Sequence, residues 1–102
     1  MTENITKEMF AESLKTKFKL RLPESSDTIE LELMQLTEGV SNPKYEQFAL
    51  IFQGPQNIYL PQAIYQLEHE KLGEMDLFIV PVGRDEHGFQ YEAVFNRPVA
   101  ED

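Results

Sequence analysis

The sequence predicts a mainly β fold: a compact antiparallel domain of about six strands, barrel-like or two-layered, with one short N-terminal helix. Two observations carry this. From residue 16 onward apolar residues recur with a period of two, the spacing that buries one face of a strand. Gly, Pro and Asn punctuate that pattern at short intervals, as in all-β chains rather than βα repeats. A third observation sets the scale. The chain has 102 residues, 41% of them hydrophobic, with seven Phe and four Tyr. That is enough for one domain, 1–102, with a core of its own.

The helix is expected over residues 6–14. Met9, Phe10 and Leu14 fall on one side at the helical period, Thr6 is a candidate N-cap, and no Pro or Gly interrupts. The first strand, 16–22, alternates Phe18, Leu20 and Leu22 with Lys17, Lys19 and Arg21. Pro23 to Asp27 is turn chemistry. The second strand, 28–38, points Ile29, Leu31 and Leu33 inward. Met34 and Leu36 then continue on the opposite parity, which predicts a β-bulge or bend near Met34.

These two strands are expected to form an antiparallel hairpin with Leu20 opposite Leu31. That register sets Arg21 against Glu30 and Lys19 against Glu32. The basic row thereby becomes cross-strand ion pairs on a solvated face rather than an anion site.

A loop follows at Ser41-Asn42-Pro43. Strand 44–53 is apolar on both faces, with Phe48, Leu50 and Phe52 on one and Ala49 and Ile51 on the other. It is therefore central or covered on its second face, the N-terminal helix being the candidate cover. After Gly54-Pro55-Gln56-Asn57, strand 62–68 resumes the period through Ala63, Tyr65 and Leu67. Strand 75–82 is the most apolar run, with Pro81 marking an edge or bulge near its end. The last strand, 89–96, alternates Phe89, Tyr91, Ala93 and Phe95. The tail, 98–102, is expected to be disordered.

Nine basic residues stand against eighteen acidic ones, a net charge of −9. Such a surface repels phosphates, so nucleic acid is not an expected partner. No segment approaches the ~20 apolar residues of a membrane span, and the first ten residues do not read as a leader. The expected location is the cytoplasm, without membrane attachment. With no Cys, there is no disulfide framework, thiolate nucleophile or Cys-based metal site.

The two histidines, His69 in LEHE and His87 in DEHG, flank strand 75–82. Eight residues at ~3.3 Å each put them roughly 26 Å apart, too far to share a metal. Each reads as a solvated turn histidine. There is no metalloprotease helix, phosphate loop, dinucleotide fingerprint or nucleophile elbow. Asp76 and Glu92 have the most apolar surroundings of the carboxylates, and read as opposed surface charges. No catalytic residue, metal ligand or cofactor is expected.

What remains is a non-enzymatic protein-interaction or structural accessory module. Its partner would be another protein of unspecified identity, and a homo-oligomer stays open. Candidate contacts are Tyr59 and Leu60 in the loop over 57–62, and Pro81. The competing reading of these residues is that they close the barrel. The alternative function is a small-molecule-binding β-barrel, using the interior or the mouth. A barrel this small is normally filled by its own side chains, which counts against it.

The phrases YEQFALIFQGP, LPQAIYQLEHEKLGEMDLFIVPVG and YEAVFN, with FKLRL and LELMQL before them, resemble an uncharacterised bacterial domain family. The resemblance spans about residues 10–96. These phrases are aromatic, apolar and turn residues, so no catalytic residue carries over. The resemblance implies a role in a phage-tail-like or fibre-like assembly.

Overall fold

The computed structural model describes residues 5–23, 25–39 and 44–98, the side chains of 97 and 98 excepted. The loop expected at 41–43 and residues 99–102 of the expected disordered tail lie outside the described residues. Residue 98, also assigned to that tail, instead ends the last strand.

Helix α1 covers Lys7–Ala11. Thr6 caps it: the Thr6 hydroxyl accepts from the Met9 N–H at 3.1 Å, and the Met9 thioether accepts from the Thr6 N–H at 3.5 Å. The helix is shorter than the 6–14 that periodicity predicts. Lys15 takes a φ of 69° and donates its N–H to the Leu33 carbonyl at 2.7 Å. Leu33 returns its N–H to Thr16 at 3.0 Å, so the chain leaves the helix to join the sheet.

Six strands follow: β1 (Lys17–Arg21), β2 (Thr28–Glu38), β3 (Tyr45–Gln53), β4 (Ala63–His69), β5 (Gly73–Asp85) and β6 (Gly88–Pro98). Every pairing is antiparallel, and the order β1-β2-β3-β6-β5-β4 closes on itself through β4 and β1. The closing seam is short, Lys19 opposite Glu68 and Leu20 opposite Leu67. β5 divides its length between partners. Residues up to Ile79 pair with β4, and residues from Val80 pair with β6. This is why it extends beyond the 75–82 that apolar content alone marks out.

The first hairpin corrects one expectation. Leu20 stands opposite Ile29, not Leu31, and Phe18 takes Leu31. Lys19 therefore faces Glu30, and Lys17 faces Glu32. A two-residue slip leaves every side chain on its expected face. The turn decides the register, because Leu22 donates to the Asp27 carbonyl at 3.0 Å and tightens the connection. The bulge falls where the parity slips, between Leu33 and Gln35. A second one interrupts β5 between Pro81 and Gly83.

Inward residues fill the ring. Phe18, Leu20, Leu31, Leu33, Leu50, Phe52, Leu67, Ile79 and Tyr91 are fully buried. Each large apolar side chain contributes about 1.5–3 kcal/mol by leaving water. Phe18 meets Phe52 edge-on at 5.3 Å. The helix does not cover the outer face of β3, as its stripe suggested. Phe10 instead packs inside, 6.1 Å from Phe48 and 5.4 Å from Phe95, which stack on each other at 4.6 Å. The second face of β3 is sheltered by its neighbours in the sheet. Ala49 lies between Thr37 and Val94, and Ile51 between Gln35 and Glu92.

Candidate functional site

His69 is not a solvated turn residue. It ends β4 with only 6% of its surface exposed, its ring 4.4 Å from that of Phe18. Nδ1 accepts from the N–H groups of Lys71 at 3.0 Å and Leu72 at 3.2 Å. Nδ1 therefore carries no proton, and Nε2–H donates to Thr16 Oγ1 at 2.8 Å. The Thr16 hydroxyl donates in turn to the Ser13 carbonyl at 2.5 Å. Burial lowers the His69 pKa, with a smaller opposing pull from Glu70. The neutral ring is a clasp that ties the β4–β5 turn to the segment leading into β1. His87 is the opposite case, an exposed residue in the β5–β6 turn, 3.8 Å from Glu86. The two remain at opposite ends of β5. Among the described residues no cluster of His, Asp or Glu is arranged to hold a metal ion.

The expected contact loop divides. Leu60 is buried at 2% exposure, and its N–H donates to the Tyr91 hydroxyl at 3.0 Å. It closes the core rather than offering a surface. That hydroxyl donates in turn to the Ile58 carbonyl at 3.5 Å, and burial raises its pKa against the pull of the Leu60 N–H. Tyr59 is 57% exposed, its ring edge-on to Phe89 at 5.3 Å. Pro81 is half-buried opposite Tyr91 at the β5 bulge. Gln56 reaches across to the Glu86 carbonyl, pinning the loop to the β5–β6 turn.

Further exposed large apolar groups lie elsewhere: Tyr45 on β3 is 50% exposed, and others stand on the outer surface of β4, β5 and β6. Ile64 is 69% exposed, Phe78 49%, Val82 50% and Val94 62%. Ile64 and Phe78 are direct cross-strand partners. Val94 pairs with Ala49, and the preceding outward residue, Glu92, pairs with Val80. These residues were legible, though not singled out. Phe78 shares the parity of Asp76, Ile64 that of Glu68, and Val94 that of Glu92, so alternation places all three outside.

Asp76 and Glu92 do not converge. Asp76 faces Gln66, and Glu92 faces Val80, four residues further along β5, or ~13 Å at ~3.3 Å per residue. An open cleft of about 720 Å³ lies beside β2, lined by Met34, Gln53, Pro55, Asn57, Ile58 and His87 among others. It lies outside the packed interior. Among the described residues, no helix is long and apolar enough to cross a membrane.

A search of the curated proteins and one of the solved structures find no match. The family model described as a domain of unknown function (DUF6916) matches residues 5–95. That span runs from the start of the helix to the end of the alternating pattern in β6, and with it matched the chain belongs to this family.

Proposed function

We propose that this domain is a non-enzymatic interaction module that binds another protein through the outer face of β4, β5 and β6. The observation that carries the reading is the exposure of Ile64 and Phe78, cross-strand partners on the outside of a sheet whose interior is already packed. Apolar side chains grouped on a surface gain by being covered, and aromatic anchors contribute most of the energy when they are. Tyr59, at the end of the same sheet, is an auxiliary contact. A place in a tail-like or fibre-like assembly, which the sequence resemblance implies, gives such a face a partner. The small-molecule reading has less support, because the ring interior is filled by Phe18, Phe52 and Tyr91.

The test is co-purification from the native lysate with wild-type protein and with Phe78→Ser. A protein retained by the first and lost by the second supports the reading. Identical recoveries, or none in either, count against it.

A further inference from the structure

We infer that the ring is built to open at one place, the seam between β1 and β4, and that His69 is the latch, released when its ring takes a second proton. The inference is independent of the interaction reading. The seam joins two residue pairs, Lys19 with Glu68 and Leu20 with Leu67, whereas every other neighbouring pair of strands shares five or more. Neither strand depends on the seam for its ladder. β1 pairs with β2 from Lys17 to Arg21, and β4 pairs with β5 from Ala63 to His69. Parting at the seam leaves both hairpins intact, and such units open at a lower free energy than the whole domain. Parting exposes Leu20 and Leu67, both fully buried, so the ring stays closed while the latch holds.

His69 stands at one end of this seam and holds both sides of it. Nε2 bonds Thr16, one residue before β1, and the ring packs on Phe18 of β1. Nδ1 holds the N–H groups of Lys71 and Leu72 in the β4–β5 turn. A second proton makes Nδ1 a donor aimed at two donors, so the ring must leave its pocket. Solvent receives it better, because a cation at 6% exposure is costly without a counter-ion. The ion pairs among the described residues do not include His69. Charged groups of both signs surround it: Lys17 and Lys19 on β1, Glu30 on β2, Glu68 on β4, and Glu70 and Lys71 in the turn. Cations and anions are equal in number there, so burial and the Nδ1 bonds decide. Burial lowers the pKa, so the latch is shut near neutrality and acid releases it. With the ring gone, the seam keeps its two pairs and loses the Thr16 bond and the Phe18 contact that extend it.

The experiment is hydrogen exchange read by NMR at pH ~7.5 and ~5, with rates corrected for the intrinsic effect of pH. Wild type is compared with His69→Gln, with Thr16→Val and with a Lys19→Cys, Glu68→Cys double variant. The chain has no cysteine of its own, and these two positions are exposed cross-strand partners, so oxidation staples the seam. In wild type, the amides of residues 19, 20, 67 and 68 that bridge the seam should lose protection at least ~10-fold at the lower pH, while the β3–β6 ladder around Leu50 and Ala93 keeps its own. His69→Gln and the oxidised staple should show no such loss, and reducing the staple should bring it back. Thr16→Val should show the loss already at the higher pH.

Equal loss in every strand is global unfolding and overturns the inference, as does no loss in wild type. Loss that persists in His69→Gln assigns the trigger to another group and overturns the latch. Loss that persists under the oxidised staple overturns the seam. If His69→Gln does not fold, Thr16→Val decides on the latch: wild-type protection at the higher pH overturns it.

Discussion

Thr16 and His69, separated by 53 positions in the chain, share a hydrogen bond of 2.8 Å, and the histidine keeps its full set of hydrogen bonds only while neutral. The reason lies at the other ring nitrogen. Nδ1 already accepts two backbone N–H groups, from Lys71 and Leu72. A proton placed there would face two donors and break both bonds.

This relationship sets a pH dependence. Burial lowers the His69 pKa in the folded state, so below about 6.5 the unfolded chain binds the proton more readily. The contribution of the clasp is complete above that value and is lost as pH falls through the lower folded pKa. Glu70 softens the loss, while Lys71 deepens it. The melting temperature should fall on acidification from pH ~7.5 to ~5, and His69→Gln should flatten this part of the profile. A flat wild-type profile would refute the clasp.

At neutral pH, His69→Ala leaves the N–H groups of Lys71 and Leu72 and the Thr16 hydroxyl without their partner. A cost of roughly 1–3 kcal/mol follows from stranding such groups. Urea unfolding measures it. Hydrogen exchange at Lys71 and Leu72 should quicken more than exchange at Leu50.

Tyr91→Phe removes the acceptor of the buried Leu60 N–H and the longer bond, 3.5 Å, that the hydroxyl donates to the Ile58 carbonyl. Its expected cost is again about 1–3 kcal/mol by urea unfolding. Burial raises the tyrosine pKa, so its contribution is present below about pH 10 and declines as pH rises through the folded value. The phenylalanine variant should lack that alkaline decline.

Two glycines should respond differently to alanine. Gly73 has a φ of 83° with open space around the missing Cβ, so Gly73→Ala costs only the left-handed strain, about 1–2 kcal/mol. Gly88 has a φ of 141°, and a Cβ there would overlap the Gly54 carbonyl oxygen. Gly88→Ala should melt well below Gly73→Ala. Equal melting temperatures would show that the approach of β6 to Gly54 is not tight.

Phe10→Ala should cost about 3–5 kcal/mol, the usual range for emptying a buried phenylalanine site. The Lys7–Glu38 ion pair, 2.7 Å long and exposed on its glutamate side, should register far less when Lys7→Ala breaks it. The comparison tests whether the helix is held by its plug or by its charges.

The face of each strand residue was legible in the sequence, because alternation with a period of two is a local property. It placed Phe18 and Leu20 inside and Lys19 outside, and the slip at Met34 marked the bulge. Register was not legible. Leu20 opposite Leu31 and Leu20 opposite Ile29 satisfy the same parity, and the bonds at the two ends of the hairpin, Leu22 to Asp27 and Thr16 to Leu33, go with the second. The helix plug was hidden for a related reason. Its stripe shows that Phe10 must be buried, but not whether against the outer face of β3 or inside the ring.

The candidate face shows the same division. Alternation alone makes Phe78 outward and Leu77 inward. That Ile64 and Phe78 stand side by side depends on the register in which β4 meets β5. His69 depends on how the strands close, since its burial requires Thr16 and Phe18 to arrive from the far end of the chain. The sequence by itself determined which residues seek water and which avoid it, since that preference belongs to each side chain. Which of them meet was decided by tertiary structure, because ring closure sets contacts between residues that no local spacing connects.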